Sequence, residues 1–161
     1  FDHRLIAELL KRLAVVECLQ WDFRQDGALV GARRKNDGAL GLADWYFLAR
    51  EDTGSMFEIC ACMGAQSQQF RRFGRLLGIL YHGADDVSDL EESQDLGGGG
   101  DADVHDRILT LPAAAGEQLP EARAELSKIR AMAESEIDRV SPCADRGVLA
   151  RLVGEVHKLS H

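Results

Sequence analysis

The sequence contains few of the residues that build covalent or metal-bound scaffolds. It has four cysteines among 161 residues, and none of them belongs to a Cys-x-x-Cys pair. No histidine lies at zinc-finger spacing from them, so a structural zinc site is a weak interpretation. Free thiols fit a reducing compartment, and the sequence therefore indicates a cytoplasmic protein.

Long apolar runs and positive charge are also scarce. No run approaches the length of a membrane span, and no signal peptide is visible. Acidic residues outnumber basic ones by 27 to 19, which gives a net charge of −8. This charge argues against a nucleic-acid partner, because a phosphate backbone needs clustered Lys and Arg. An acidic protein can still bind a phosphorylated small molecule when metal ions lie between the two.

The hydrophobic residues that are present recur at helical spacing. Leu5, Leu9, Leu13 and Val16 form one such stripe, and no alternating pattern of useful length indicates a strand. We therefore predict a single all-α domain over residues 1–161. The predicted helices cover residues 5–23, 42–49, 53–68, 70–84, 122–137 and 148–159, with Pro112 in the first turn of a further helix.

Glycine is placed in two informative ways. The four consecutive glycines at 97–100 predict a flexible loop, and no GK[ST] follows them, so they do not form a P-loop. Gly64, Gly74 and Gly78 instead fall within predicted helices, where each costs about 1 kcal/mol relative to Ala. They indicate either close approach between helices or room beside a long apolar ligand.

Three carboxylates follow directly on the apolar stripe of the fourth predicted helix. Asp85, Asp86 and Asp89 stand in the segment YHGADDVSDL. Asp85 and Asp89 share a helix face, and Asp86 lies next to it. Clustered acids repel one another, and a hard divalent cation such as Mg²⁺ neutralises them. The alternative is a solvated acidic helix end, which is common in an acidic chain.

Four segments in order resemble one family. They are EDTGSMF at Glu51–Phe57, FRRFGRLLG at Phe70–Gly78, YHGADDVSDL at Tyr81–Leu90 and DVHDRILTLP at Asp103–Pro112. The trans-isoprenyl diphosphate synthases, or polyprenyl synthetase family, carry KTG-x-LF, an FGxxLG-like helix, FQxxDDxxD and D-x-x-x-G-x-x-TLP. The chain resembles the C-terminal half of these proteins.

The resemblance implies an antiparallel helical bundle of the isoprenoid synthase type around a deep apolar cavity. It also implies Mg²⁺ ions that bind the diphosphate of an allylic isoprenoid substrate and help it leave. By this resemblance Asp85 and Asp89 face the metal, while Asp86 acts mainly through water or hydrogen bonds.

The resemblance places Thr53 near the nascent carbocation, where a hydroxyl dipole stabilises positive charge. A competing interpretation is that Asp52 or Thr53 caps the helix that follows. The expected substrate-binding residues are Asp52, Thr53, Tyr81 and His82, and Thr53 and His82 are the expected catalytic residues.

The chain departs from the family pattern at several positions. Asp52 replaces the lysine that grips the diphosphate, and an aspartate repels that group unless metal intervenes. His82 replaces a glutamine and can act as a polar neighbour, as a base, or as a buried histidine that satisfies a backbone group. Two later family lysines are also absent, and Ile108 stands at the second of these positions.

The first aspartate-rich motif of the family has no counterpart in this chain. Because the chain begins at Phe1 rather than Met, we expect residues to precede it, and the N-terminal helices of the family to lie there or on a partner.

Two functions remain open. One is an Mg²⁺-dependent isoprenoid diphosphate enzyme, acting in chain elongation or in terpene cyclisation. The other is a non-catalytic regulatory subunit that pairs with a complete synthase. In either case we expect a homodimer or heterodimer.

Overall fold

The computed structural model describes residues 3–22, 40–90, 108–116, 118–140 and 145–160. Within these ranges all regular structure is helical, which confirms the all-α prediction and is consistent with an isoprenoid-synthase-like bundle. The helices are α1 (His3–Asp22), α2 (Leu42–Glu51), α3 (Thr53–Ala65), α4 (Arg71–Leu90), α5 (Leu111–Ala114), α6 (Leu119–Val140) and α7 (Arg146–Lys158). A short 3₁₀ turn at Gln68–Phe70 joins α3 to α4.

Helices α2 and α3 are separated by a single residue. Asp44 Oδ2 accepts a hydrogen bond from the Gly41 N–H at 3.1 Å, which satisfies a donor at the start of α2. Asp52 then leaves the helical region, with φ −84° and ψ −106°, and its carbonyl accepts from Ser55 and Met56 of the next helix. The break therefore places Thr53 at the first position of α3.

Helices α3 and α4 form a tightly packed antiparallel pair. A Cβ at Gly78 would lie 2.6 Å from the carbonyl oxygen of Thr53, and one at Gly74 would lie 2.6 Å from that of Phe57. Side chains at these two positions would therefore collide with the backbone, which confirms the prediction of close approach. Gly64 has no atom within 4 Å of its virtual Cβ, so close approach between helices does not account for this glycine.

The main core lies between α2, α4, α5, α6 and α7. Its largest fully buried members are Trp45, Leu80, Leu111, Leu126 and Ile129. Helix α1 adds a smaller cluster, in which Leu5 and Leu9 pack with Cys62 of α3. The predicted stripe of α1 thus faces the protein, because its apolar residues recur once per helical turn.

Several predictions concern residues outside the described ranges, namely the glycine run at 97–100, Cys143 and the first part of the fourth matched segment. Among the described cysteines, Cys18 and Cys60 are exposed, Cys62 is buried, and all three are free thiols. In the described part of the chain, no helix combines the length and apolar character that a membrane span requires.

Candidate active site

The three aspartates of α4 differ in their surroundings. Asp86 is 5% exposed, and its Oδ2 accepts hydrogen bonds from Trp45 Nε1 and from the Leu111 backbone N–H, both at 2.7 Å. These bonds connect α2, α4 and α5, so two of the segments that carry the family resemblance, those of Asp86 and Leu111, meet at one carboxylate together with Trp45. Asp86 was expected to act through hydrogen bonds, and its partners here are protein groups. Whether it also serves a metal ion remains a prediction.

Asp85 and Asp89 are half-buried in the last two turns of α4. Their spacing of four residues puts both carboxylates on the same side of the helix. In the described residues, no group of three or more His, Cys, Asp or Glu side chains is arranged to hold a metal ion. Two carboxylates still fit Mg²⁺, which usually keeps several waters and takes further oxygens from substrate phosphates.

Thr53 and His82 are in direct contact. Thr53 Oγ1 lies 2.9 Å from His82 Nδ1 and 3.4 Å from Asp52 Oδ2, to which it donates. His82 Nδ1 lies 3.7 Å from the same Asp52 oxygen. No side-chain hydrogen bond caps α3 at Asp52, so the capping interpretation lacks the bond that it requires. The described partner of His82 is likewise a side chain and not a backbone group.

Helix α1 completes this polar cluster. Gln20 Nε2 donates to Asp52 Oδ2 at 3.3 Å, which brings α1 against the junction of α2 and α3. Glu17 lies one turn earlier and is largely exposed, yet partial desolvation raises its pKa, and the like charge of Asp52 raises it further while His82 acts to lower it. The groups identified around Thr53 are therefore neutral or acidic, apart from the imidazole.

An apolar groove begins beside Tyr81. Tyr81 is half-buried, and its ring lies 5.4 Å from that of Phe57. Phe57 also lines a groove of about 670 Å³ between α3, α4 and the first half of α7. Phe73 and Leu77, two turns and one turn before Tyr81, line the same groove. Its wall also includes Gly64, which has open space beside it; whether that space accommodates a ligand remains a prediction.

Sequence reasoning did not find three members of this site. Trp45 and Leu111 hold Asp86 from 41 and 25 residues away, and Gln20 reaches Asp52 across 32 residues. A motif read along one helix gives the face that a residue occupies, but not the partner that another helix brings to it.

Known proteins resemble the chain over part of its length. A chloroplastic geranylgeranyl pyrophosphate synthase of Arabidopsis thaliana, number 12, is 31% identical over 107 residues, which are 61% of this chain and 29% of that protein. The mitochondrial geranylgeranyl pyrophosphate synthase 10 of the same plant is 28% identical over 130 residues, or 73% of this chain and 38% of that protein. No protein-family model and no solved structure matches the chain.

The chain thus spans about a third of the length of these curated relatives. Both carry a geranylgeranyl pyrophosphate synthase name, and the motifs of α3, α4 and α5 resemble the same group. The chain is thus similar over part of its length to prenyl diphosphate synthases, and its all-α fold is consistent with that similarity.

Proposed function

We propose that this chain is the diphosphate-binding part of a Mg²⁺-dependent enzyme that ionises an allylic isoprenoid diphosphate, for prenyl transfer or terpene cyclisation. The observation that carries the proposal is the arrangement at one end of the α3–α4 pair. Thr53 and His82 are in contact there, Asp85 and Asp89 follow on the next turns of α4, and an apolar groove begins at Phe57.

Asp85 and Asp89 are the residues that would hold the metal. A bound Mg²⁺ would supply a positive charge that stabilises the departing diphosphate. Asp86 would fix the end of α4, because its bonds to Trp45 and Leu111 hold the helix against two neighbours. Both metal-binding carboxylates would then be presented from a rigid element.

The hydrocarbon part of the substrate would lie along Phe57 and Tyr81 and continue into the groove. The groove is lined mainly by apolar side chains and is open at Gly64, so it suits a long hydrophobic chain. Burial of such a chain is favourable by about 0.8 kcal/mol per CH₂ group. Thr53 and His82 would lie at the polar end, where the carbon–oxygen bond breaks.

A second candidate function is a non-catalytic partner subunit. Asp52 is the observation that favours it, because an anion bound by Gln20 occupies the position where the family has a diphosphate-binding lysine. In a homodimer or heterodimer, another chain could supply the positive charge that position 52 lacks for binding the diphosphate. In that case the isolated chain binds substrate weakly and releases no diphosphate.

The test uses geranylgeranyl diphosphate, chosen because the relatives' names contain that group, with and without Mg²⁺. We expect Mg²⁺-dependent binding by calorimetry and Mg²⁺-dependent release of diphosphate. Asp85→Asn combined with Asp89→Asn should weaken binding by at least about a hundredfold, since the metal loses its protein ligands. Glu155→Gln, an exposed carboxylate on α7, is the matched control.

Each outcome separates the candidates. Binding that is equal with and without Mg²⁺, or equal in the double variant and the control, would contradict the metal-dependent site. Mg²⁺-dependent binding without diphosphate release would favour the partner subunit. Circular dichroism of the double variant shows whether helicity is retained, so that a folding defect is not mistaken for loss of the site.

A further inference from the structure

We propose that His82 is the proton acceptor of this site and that it ends the reaction by removing a proton from a carbon beside the cation, so that an isoprenoid alkene is released. This inference rests on the proposed function and names the product class. Its basis is that Asp52 and His82, two of the departures from the family pattern in the matched motifs, lie next to one another. Both contact Thr53, and they lie 3.7 Å apart.

The contacts among Thr53, Asp52 and His82 favour one position for the ring proton of His82. Thr53 Oγ1 lies 2.9 Å from His82 Nδ1 and 3.4 Å from Asp52 Oδ2, and its single hydroxyl hydrogen can be donated to only one of them. With hydrogen on Nδ1, His82 donates to Thr53 Oγ1, and the threonine hydroxyl in turn donates to Asp52. The nearby Asp52 carboxylate favours the proton on that same nitrogen. A neutral ring with hydrogen on Nδ1 has its lone pair on Nε2, so Nε2 is the proton-accepting atom.

Asp52 is suited to support such a base. After His82 accepts a proton, the imidazolium lies within ion-pair distance of the Asp52 carboxylate, which stabilises it. A lysine at position 52 would instead repel the imidazolium. Gln20 holds the carboxylate from α1, and the Trp45 ring lies 6.0 Å from the imidazole ring, so both groups are positioned by the fold. Asp52 and His82 therefore both favour proton transfer to the imidazole ring.

The reaction balances without a further reactant. The allylic carbon–oxygen bond breaks, and its electron pair leaves with the diphosphate. A carbon–hydrogen bond beside the resulting cation then breaks, and its electron pair forms a new carbon–carbon double bond. The proton passes to His82 Nε2 and later to water. The products are an isoprenoid alkene and diphosphate, and no carbon is oxidised or reduced by an outside reagent.

The first experiment measures products from geranylgeranyl diphosphate and Mg²⁺, as moles of alkene per mole of diphosphate released. We expect a ratio near one for the unaltered chain. His82→Gln should lower this ratio by about a hundredfold, the usual contribution of a general base, with the water-captured alcohol taking the place of the alkene. His3→Gln, the same change at an exposed position of α1, should leave the ratio as it was.

The second experiment does not depend on turnover. Nitrogen-15 NMR of the substrate-free chain should show the His82 ring with hydrogen on Nδ1, and Asp52→Asn should move it towards the Nε2–H form. The His82 signals are those lost in His82→Gln.

The outcomes distinguish this inference from the function beneath it. An unchanged alkene ratio in His82→Gln, the alcohol as the main product of the unaltered chain, or an Nε2–H ring in the unaltered chain would overturn the role of His82 and leave the proposed function standing. An absence of Mg²⁺-dependent diphosphate release would overturn both.

Discussion

The sequence allows two roles for the Thr53 hydroxyl, as a helix cap or as a group of the active site, and its contacts in the structure favour the second. At the first position of α3 a threonine is a plausible cap, because its oxygen can accept from backbone N–H groups of the first turn. In the structure that oxygen contacts His82 and donates to Asp52. The side chain thus joins a polar cluster formed by three helices, and its role follows from α1 and α4 as much as from α3.

Reversing the charge of Asp52 separates substrate binding from product formation. Asp52→Lys should tighten binding of geranylgeranyl diphosphate by about tenfold, because a cation replaces an anion near the diphosphate. The same variant should lose the alkene product, since a lysine opposes a protonated His82. Calorimetry and product analysis on one preparation measure both effects.

Asp52→Asn is the matched control, because it removes the charge but keeps the size of the side chain. We expect its affinity to lie between those of the other two proteins. Weaker diphosphate binding in Asp52→Lys than in Asp52→Asn would show that position 52 does not face the diphosphate, and that its equivalence with the family lysine is wrong.

At the scale of the element, the sequence predicted the helices well and the roles of their residues unevenly. Apolar spacing gave α1, α4 and α7 because burial of one face determines a helix. The predicted end of α3 was residue 68, whereas the helix ends at Ala65. The helix stops there because Gln66 adopts a left-handed conformation (φ 50°), and the sequence has no Gly or Pro at this position to predict that stop. Asp85, Asp86 and Asp89 were identified as a cluster, but the separate position of Asp86 depends on Trp45 and Leu111, which only the tertiary fold brings near.

The α3–α4 contact gives a prediction that needs no ligand. Gly78→Ala should lower the free energy of unfolding by about 1–3 kcal/mol, because its Cβ would meet the Thr53 carbonyl at 2.6 Å and the Gly54 Cα at 2.8 Å. Gly64→Ala, in α3, has open space and should instead raise it by up to about 1 kcal/mol through helix propensity. Urea unfolding monitored by circular dichroism measures both changes.

The two glycine variants control for each other, since each introduces the same methyl group into a helix. Gly78→Ala should also weaken Mg²⁺-dependent substrate binding, because Thr53 lies at the point of contact. If Gly78→Ala were as stable as Gly64→Ala, the close approach of α3 and α4 would be wrong.

At the scale of the whole molecule, a buried charge holds three helices together. Glu58 of α3 is fully buried, and Arg75 Nη2 and Nε of α4 donate to its Oε2 at 2.6 and 2.8 Å. Arg71 binds the other Glu58 oxygen and also reaches Glu8 of α1. The network lies on the opposite side of α3 from Cys60 and Gly64, which line the groove, so it braces the pair without entering the proposed substrate path.

Removing the positive charges of Arg71 and Arg75 tests how much the stability of the bundle depends on their ion pairs with Glu58. Arg71→Met with Arg75→Met leaves the Glu58 carboxylate buried and uncompensated, and we expect the free energy of unfolding to fall by about 3–5 kcal/mol. Adding Glu58→Met should recover most of that loss, because an apolar side chain of similar length needs no partner in the interior. The surface pair Arg130–Glu134 offers the matched comparison, and Arg130→Met there should cost less than about 1 kcal/mol. Urea titrations of the unaltered chain, the double variant, the triple variant and Arg130→Met measure these free energies. A triple variant as unstable as the double variant would contradict the role of the Glu58 charge. It would mean that the two arginines stabilise the bundle mainly through packing of their aliphatic stems.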